Sequence, residues 1–319
     1  MSQEVLILGL NPAWQRLFYV DKFTPGEVHR IERVEEYGSG KGINCGLVLR
    51  LLGGTPLMMH FLGSEHGSRI FDEISAYGIQ QAPVWIKEPT RICTTVVSGG
   101  DSTELIEPSP ILSDFENEDF IQTLNDYWST TQSVALCGTF PQGFNVDQLN
   151  DLDFTGKKIY VDAIDGIDGW LEKGVELLKI NMQEYCKLLT RLGLPLVLSS
   201  PQFWKMTATA VLERLPIKTL VVTDEDAPVK AFRLVEKKFQ GVQIQPPQIQ
   251  VNNRIGAGDS FFAGWLYADS LGMDFEQCLI KATAVATARC EVDRPCNLKI
   301  ERVQEFETAL ADSIEKLES

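Results

Sequence analysis

The sequence predicts an α/β protein with a mostly parallel β-sheet that is covered by helices on both faces, a three-layer α/β/α arrangement. Short apolar runs rich in β-branched residues recur along the chain, and stretches with helical periodicity lie between most of them. No internal repeat or low-complexity linker interrupts this alternation. The 319 residues are 44% hydrophobic and 23% charged, which is typical of a globular protein. We therefore expect a single domain over residues 1–319.

The individual elements follow from the same two patterns. The apolar runs predict strands at residues 5–10, 57–62, 134–137, 158–162, 177–180, 196–199 and 219–223. The helical periodicity predicts helices at residues 43–52, 70–77, 118–128, 183–192, 204–215, 259–271, 275–289 and 303–317.

Two segments, at about residues 12–36 and 91–107, do not fit the alternation of strands and helices. The first mixes apolar residues with the turn Pro25-Gly26, and the second reads as a hairpin around Gly99-Gly100-Asp101. Together they predict a small antiparallel sheet that projects from the core. Such a sheet would serve as a lid over a cleft, as a surface for a homodimer, or as both.

Composition limits the classes of partner. The chain has 29 basic and 44 acidic residues, a formal net charge of −15, and such a surface repels nucleic acid. Seven cysteines without a Cys-x-x-Cys pair argue against a disulfide framework, and three histidines make a zinc site improbable. The N-terminal apolar run ends at Asn11-Pro12 and reads as a buried strand, not a signal peptide. No apolar run is long enough to span a membrane. Because unpaired thiols are typical of a reducing compartment, we expect a cytoplasmic protein.

The most informative motif is the segment RIGAGDSFFAG at residues 254–264. Gly256 and Gly258 allow close approach to a ligand, and the helix that follows begins with unpaired amides and the positive end of its dipole. These features predict an anion site. Asp259 in the first turn is placed to take a proton from a hydroxyl, which suits phosphoryl transfer to an alcohol. A simple turn followed by a helix cap is the alternative interpretation.

A second glycine cluster, GSGKGIN at residues 38–44, opens the helix predicted at 43–52. It does not match a P-loop, because Glu35 stands where the first glycine belongs and Gly42 follows Lys41 in place of Ser or Thr. It also lacks the third glycine of a dinucleotide-binding loop. A flexible loop with one lysine and Asn44 suits a polyhydroxylated, anionic small ligand, whereas a solvated basic loop is the alternative for Lys41 alone.

Taken together, these motifs resemble those of the ribokinase-like carbohydrate kinases, in particular the phosphofructokinase B branch. The KGIN and GAGDS segments lie about 215 residues apart, in the order that the family has. Further matches are NPA at 11–13, TRI at 90–92, CGTFPQG at 137–143 and KINMQE at 179–184. The resemblance covers nearly the whole chain and is strongest to the 1-phosphofructokinases and tagatose-6-phosphate kinases. It implies a ribokinase-like fold with a small β lid.

The resemblance also implies an ATP-dependent kinase that acts on a phosphorylated hexose, with ATP and Mg²⁺ as cofactors. Asp259 would take the proton of the acceptor hydroxyl, and Gly256, Ala257 and Gly258 would stabilise the transferring phosphoryl group. Arg91 would hold the existing phosphate of the sugar. The other residues implied to bind the sugar are Asn11, Gln15, Gly40, Lys41, Asn44 and Thr139. Lys179 and Asn181 are implied to bind the nucleotide, with Glu184 for magnesium. We also predict that Thr223 and Arg254 contact the nucleotide, although both lie in segments that depart from the family pattern.

Three departures from the family pattern leave alternatives open. Gln15 stands where an acid usually contacts the sugar hydroxyls. The loop Thr223–Pro228 reads TDEDAP, so it lacks the glycines that lie against the nucleotide and has three acids instead. Asn253-Arg254-Ile255 stands before Gly256 in place of the small hydroxylated residues that are common there. Arg254 could offset the acids of the loop, reach a phosphate, or pair with Asp224 or Glu225. The alternatives are a family member that binds a sugar phosphate without transferring phosphate, and a kinase for an unphosphorylated sugar or a nucleoside.

Overall fold

The computed structural model of the protein describes residues 4–98, 101–198, 200 and 202–317. Its strands are β1 (Glu4–Leu8), β2 (Ala13–Tyr19), β3 (Arg33–Ser39), β4 (Thr55–Gly63), β5 (Gln80–Ile86), β6 (Ile92–Ser98), β7 (Asp101–Ile106), β8 (Ser133–Cys137), β9 (Lys158–Asp162), β10 (Val175–Asn181), β11 (Ile217–Thr223), β12 (Val229–Val235), β13 (Lys238–Ile244) and β14 (Ile314–Leu317). Its helices are α1 (Lys41–Leu51), α2 (Ser64–Ala76), α3 (Asp114–Trp128), α4 (Asp147–Asn150), α5 (Asp168–Lys173), α6 (Met182–Arg191), α7 (Phe203–Arg214), α8 (Ala257–Ser270), α9 (Phe275–Cys290) and α10 (Ile300–Leu310).

The larger sheet has the strand order β14-β13-β12-β11-β10-β9-β8-β1-β4-β5. Neighbouring strands from β11 to β5 run parallel, whereas β12, β13 and β14 are added antiparallel at one edge. Helices cover both faces, so the predicted mostly parallel α/β sheet is confirmed. Within the described ranges, no helix is long and apolar enough to cross a membrane.

Two apolar layers enclose this sheet, as alternation along β1 shows. Val5 and Ile7 point into a cluster with α1, α8, α9 and α10, and Leu6 and Leu8 point into a second cluster with α3, α6 and α7. All four side chains are buried. Burial on both faces is why the central strands read as continuous apolar runs.

The smaller sheet has the order β3-β2-β6-β7. The predicted hairpin is confirmed by the antiparallel pair β6 and β7, while the turn residues Gly99 and Gly100 lie outside the described residues. Strand β2 pairs antiparallel with β3 and parallel with β6. The two segments that did not fit the strand–helix alternation therefore meet in one small sheet, as the sequence predicts.

One close contact fixes where α1 begins relative to the large sheet. A Cβ atom added to Gly42 would lie 2.4 Å from the Cα atom of Gly9, and one added to Gly9 would lie 2.6 Å from the Cα atom of Gly42. Real Cβ atoms do not approach this closely, so only a pair of glycines lets the first turn of α1 touch the end of β1. The contact brings Lys41 and Asn44 to the carboxyl edge of the sheet.

Two predicted elements are wrong. Residues 196–198 form no strand, and their side chains are 48–58% exposed; Ser199 lies outside the described residues. Since β10 pairs directly with β11, the sheet has no place for a strand from this segment. The predicted helix at 303–317 ends at Leu310, and residues after the turn pair with β13 as β14.

Candidate active site

The sequence-predicted site residues gather at the carboxyl edge of the parallel strands. Cys137 at the end of β8 is in register with Asp162 at the end of β9, and Asn181 at the end of β10 is in register with Thr223 at the end of β11. In open α/β sheets, ligands bind in the crevice at this edge. The edge is therefore the candidate active site.

The beginning of α8 presents free amides to this crevice. Gly256 precedes the helix in the left-handed conformation, with φ of 78°, which favours glycine. The amides of Gly258 and Asp259 have no hydrogen-bond partner among the described residues. The amide of Ala257, by contrast, donates to the carbonyl of Arg254 at 3.1 Å. The free amides of Gly258 and Asp259, at the positive end of the helix dipole, can hold an anion. The amide of Ala257, which the sequence also predicted for this role, is already bonded.

Asp259 lies in the first turn of α8 with its side chain almost fully buried, only 8% exposed. The Nδ2 atom of Asn44 donates a hydrogen bond of 2.7 Å to its Oδ2 atom. Burial and then the negative charge of Asp162 raise the pKa of Asp259, while Lys41, Lys179 and Asn44 act in the opposite direction. Its Oδ1 atom has no hydrogen-bond partner among the described residues, and a carboxylate with a raised pKa and one oxygen available is suited to accept a proton.

Asp162 holds two lysines at the base of the site. Its Oδ1 atom lies 2.8 Å from the Nζ atom of Lys41, and its Oδ2 atom lies 3.0 Å from the Nζ atom of Lys179. Burial opposes ionisation of Asp162, but the two lysines together keep its pKa below the ordinary value. Lys41 also lies 3.6 Å from the Oε1 atom of Glu184. The cluster therefore brings two ammonium groups close to Asp259, and the carboxylates of Asp162 and Glu184 balance their charge.

Lys179 lies directly under the beginning of α8. A Cβ atom added to Gly258 would lie 2.9 Å from the Nζ atom of Lys179. Glycine at this position therefore lets the ammonium group of Lys179 lie against the first turn of α8, whereas a larger residue would make the end of that side chain shift.

A cleft of about 440 Å³ opens in front of Asp259. Arg91 lines it, with its Nη2 atom donating to the Asn11 carbonyl at 3.1 Å and its buried Nε atom without a partner within the described residues. The other sequence-predicted residues that line the cleft are Asn11, Gln15, Gly40, Lys41, Asn44, Thr139 and Gly256. The small sheet supplies Glu104 and Ile106, so its strands form one wall of the cleft.

Two polar side chains in this wall are held in place by other side chains. The Nδ2 atom of Asn11 donates to Thr139 Oγ1 at 3.0 Å and to Ser109 Oγ at 2.8 Å, which leaves its buried Oδ1 atom without a partner in the described part of the chain. The Nε2 atom of Gln15 donates to Thr95 Oγ1 at 2.9 Å. Both amides thus keep an acceptor oxygen for a ligand hydroxyl.

The residues assigned to the nucleotide do not line the cleft. Asn181 caps α6 in a reciprocal capping box with Glu184, whose Oε2 atom accepts from the Asn181 amide at 2.8 Å. Arg254 pairs with Asp226, at 2.9 Å, and not with either of the two acids that the sequence suggested. Thr223 stands next to Asn181 across the strand pair. This half of the site lies beside the cleft along the same sheet edge.

A metal ion would find few ligands here. No group of three or more His, Cys, Asp or Glu residues within the described ranges could hold one. Magnesium, however, usually takes only one or two carboxylates together with water and substrate phosphates. Glu184, with 18% of its side chain exposed beside Lys41, fits that limited demand.

Sequence reasoning missed Asp162. Its strand was predicted with the observed bounds, and an acid at the carboxyl end of a buried parallel strand is the signal that could have identified it. The lysines that it holds are 121 and 17 residues away in sequence, which is why the motifs alone did not point to it.

Comparison with known proteins agrees with this geometry. Residues 5–300 match the model of the pfkB family carbohydrate kinases. A tagatose-6-phosphate kinase of Staphylococcus epidermidis is 28% identical over 273 residues, which cover 82% of this chain and 83% of that protein. The structure of phosphofructokinase-2 from Escherichia coli in complex with substrates and products superposes with a TM-score of 0.86 at 19% identity, covering 97% of this chain and 99% of that one. Ribokinase from Thermotoga maritima superposes with a TM-score of 0.74 at 19% identity, over 97% and 100%.

The similarity to solved structures establishes the shared fold, and the family match spans nearly the whole chain, including both glycine motifs and the residues gathered at the sheet edge. The chain belongs to the pfkB family of carbohydrate kinases.

Proposed function

We propose that this carbohydrate kinase transfers the γ-phosphoryl group of ATP to a hydroxyl of a hexose phosphate: fructose 1-phosphate, fructose 6-phosphate or tagatose 6-phosphate. The observation that carries the proposal is the position of Asp259, which lies at the floor of the cleft beside free helix amides. A proton acceptor and an anion site within one helical turn are what phosphoryl transfer to an alcohol requires.

In the proposed reaction, Asp259 accepts the proton of the acceptor hydroxyl. The hydroxyl oxygen forms a bond to the γ-phosphorus while the bond from that phosphorus to the bridging oxygen breaks, and ADP leaves with the electron pair. The Gly258 and Asp259 amides stabilise the charge on the transferring group. Lys41 and Lys179 add positive charge from below, and Asp162 holds both ammonium groups in place.

Arg91 is the residue proposed to recognise the phosphate that the sugar already has. A chain with a net charge of −15 repels anions in general, so a phosphorylated substrate needs a local cation. Arg91 lines the cleft, and its guanidinium has donors left after its bond to Asn11. Its planar fork matches a phosphate group.

Magnesium bound with ATP would neutralise charge on the β- and γ-phosphates. Glu184 is the residue proposed to hold it. Its two oxygens face Lys41 and the Asn181 amide, so its carboxylate is already oriented toward the same end of the site.

We also propose that the chain forms a homodimer through the small sheet. Leu105 on β7 and Val34 on β3 are 55% and 47% exposed. Exposed apolar residues concentrated on one small sheet favour a protein partner.

A second function has support from one specific observation. Asp224, Glu225 and Asp226 follow β11, and Arg254 pairs with only one of these three acids. Uncompensated acids oppose binding of a nucleoside triphosphate. The chain would then bind a sugar phosphate as a sensor without transferring phosphate.

The decisive experiment measures ADP release with MgATP over a panel of the three hexose phosphates, the unphosphorylated hexoses and nucleosides. We expect turnover with at least one hexose phosphate. For that substrate, Arg91→Ala should raise KM about 10- to 100-fold, the worth of charge-assisted contacts of about 1.5–3 kcal/mol. Arg214→Ala, which alters an exposed arginine of α7, is the matched control.

Each alternative gives a different result. Turnover confined to unphosphorylated substrates, with no effect of Arg91→Ala, would contradict the proposal for the substrate phosphate. Titration calorimetry that shows binding of a hexose phosphate but none of MgATP at millimolar concentration would support the sensor.

A further inference from the structure

Arg289, near the end of α9, is the largest charged side chain that is fully buried in the described part of the chain. Its exposed fraction is 0%. Burying a guanidinium destabilises the fold unless other groups compensate its charge. No step of the proposed reaction uses this residue, so the reason for its burial must lie in its contacts.

The guanidinium bridges two loops through their main-chain carbonyls. Its Nη1 atom lies 2.5 Å from the carbonyl oxygen of Val292 and 3.5 Å from that of Asn253, and its Nη2 atom lies 3.3 Å from that of Asp293. Three carbonyl dipoles therefore converge on one positive charge. Main-chain carbonyls arranged in this way are the ligands that bound monovalent cations take in proteins.

Further hydrogen bonds join the same two loops. The Asn252 amide donates to the Cys290 carbonyl at 2.8 Å, and Asn253 Nδ2 donates to the Asp293 carbonyl at 2.8 Å. Asn253 Oδ1 accepts from the Ile255 amide at 2.9 Å. The guanidinium therefore contacts the carbonyl of Asn253, and Asn253 in turn holds Ile255, the residue that precedes the turn at Gly256.

The second loop also packs against that turn directly. A Cβ atom added to Gly256 would lie 3.5 Å from Pro295 Cγ and 3.1 Å from Asn44 Nδ2. A shift of the 291–295 loop would therefore move Gly256, and with it the free amides of Gly258 and Asp259.

We propose that Arg289 is a positioning residue for the phosphoryl-transfer site. Its guanidinium acts as a built-in monovalent cation that gathers the carbonyls of Asn253, Val292 and Asp293, and it thereby fixes the turn that orients the Gly258 and Asp259 amides. This role rests on the proposed kinase function, because those amides stabilise the transferring group. The proposal predicts that substitution of Arg289 lowers turnover more than it weakens sugar binding.

Arg289→Met tests the proposal because methionine fills much of the volume without the charge. We expect kcat to fall about 10²-fold, the cost of misplacing reacting groups by about 1 Å, while KM for the hexose phosphate changes little. Arg289→Lys, which keeps the charge but not the fork, should give an intermediate kcat. Guanidinium ion at sub-denaturing concentration should raise the turnover of Arg289→Met. The control is Arg214→Met, which replaces an exposed arginine that also donates to a main-chain carbonyl. Its kcat should equal that of the wild type, with or without added guanidinium ion.

Hydrogen exchange gives a readout that does not depend on catalysis. In Arg289→Met we expect exchange faster than in the wild type in the 291–295 loop, which the guanidinium also holds, and in residues 252–262, with the rest of the chain unchanged. Wild-type exchange in that segment, or wild-type kcat in Arg289→Met, would overturn the positioning role. If the wild-type chain turns over no substrate, the kinase proposal fails, and the exchange data still decide whether Arg289 holds the turn.

Discussion

Replacing Asp259 with asparagine separates what this side chain contributes to turnover from what it costs the folded state. Asparagine has nearly the same shape, and its amide oxygen can still accept the hydrogen bond from Asn44 that is 2.7 Å long in the wild type. The substitution therefore removes the proton acceptor and the negative charge but leaves the cleft intact. Turnover and stability should change in opposite directions.

The loss of turnover follows from the role of a positioned base. Such a base contributes about 10²–10⁴ in rate, so kcat of Asp259→Asn should fall by that factor, which equals about 3–5 kcal/mol of transition-state stabilisation. KM for the hexose phosphate should stay near the wild-type value, because the cleft walls are unchanged. ADP release at saturating MgATP measures both constants.

The gain in stability follows from the raised pKa of Asp259. Burial and Asp162 raise this pKa, so the folded state binds a proton more readily than the unfolded chain. Ionised Asp259 therefore destabilises the fold, and this cost grows as pH rises from the ordinary aspartate pKa through the raised value. We expect Asp259→Asn to have a higher Tm than the wild type at pH 8. The difference should shrink as pH falls and vanish below about pH 4.

Asp274→Asn is the matched control, because Asp274 is the N-cap of α9 and asparagine caps a helix equally well. Its kcat and Tm should equal those of the wild type. A kcat of Asp259→Asn within threefold of the wild type would refute the assignment of the base. A Tm below that of the wild type at pH 8 would refute the electrostatic reasoning.

Three other substitutions test separate parts of the structure. Asp162→Asn leaves two lysines without their carboxylate and should lower the free energy of unfolding by about 3–5 kcal/mol in urea at pH 7. Because the pKa of Asp162 is lowered in the fold, the stabilisation that Asp162 gives is lost as pH falls through that lowered pKa. A stability difference between variant and wild type that stays undiminished at low pH would contradict the pairing. Gly42→Ala places a methyl group against Gly9 and should cost about 1–3 kcal/mol of stability, and an unchanged urea midpoint would show that the two backbones can separate. Leu105→Lys should convert the proposed homodimer to a monomer in light-scattering measurements, and an unchanged mass would place the contact elsewhere.

Much of the fold was predictable because the central strands are buried on both faces. Strand β9 was predicted with its observed bounds, since its buried residues Ile159–Val161 form a distinct apolar run between Lys158 and Asp162. Strand β5 was missed because it contains Pro83, which usually argues against a strand. It lies at the edge of the sheet, where a missing amide is tolerated.

The antiparallel edge of the large sheet was also missed. In β12 and β13, lysine, arginine and glutamine alternate with apolar residues, because one face is only partly covered. That pattern is weaker than a continuous apolar run.

The site was predictable where a short motif carries the chemistry and not where contacts come from distant segments. Asp259 and Lys41 each lie in a glycine-rich motif, and the structure places both in the same site. Arg289 has no such signal, since a single arginine near the end of a helix usually interacts with the helix carboxyl terminus. Only the folded loops show that three carbonyls surround it.

The small sheet is assembled from strands that are far apart in sequence. Its central pair joins residues 13–19 to residues 92–98, and α1, β4, α2 and β5 are threaded between them. The pairing of β2 with β6 therefore depends on a folded core, and these two strands cannot form an autonomous hairpin early in folding. Grafting residues 91–107 alone onto another scaffold would therefore leave one edge of β6 without its partner strand. An exchange of the small sheet between relatives must include residues 12–36 and residues 91–107 together.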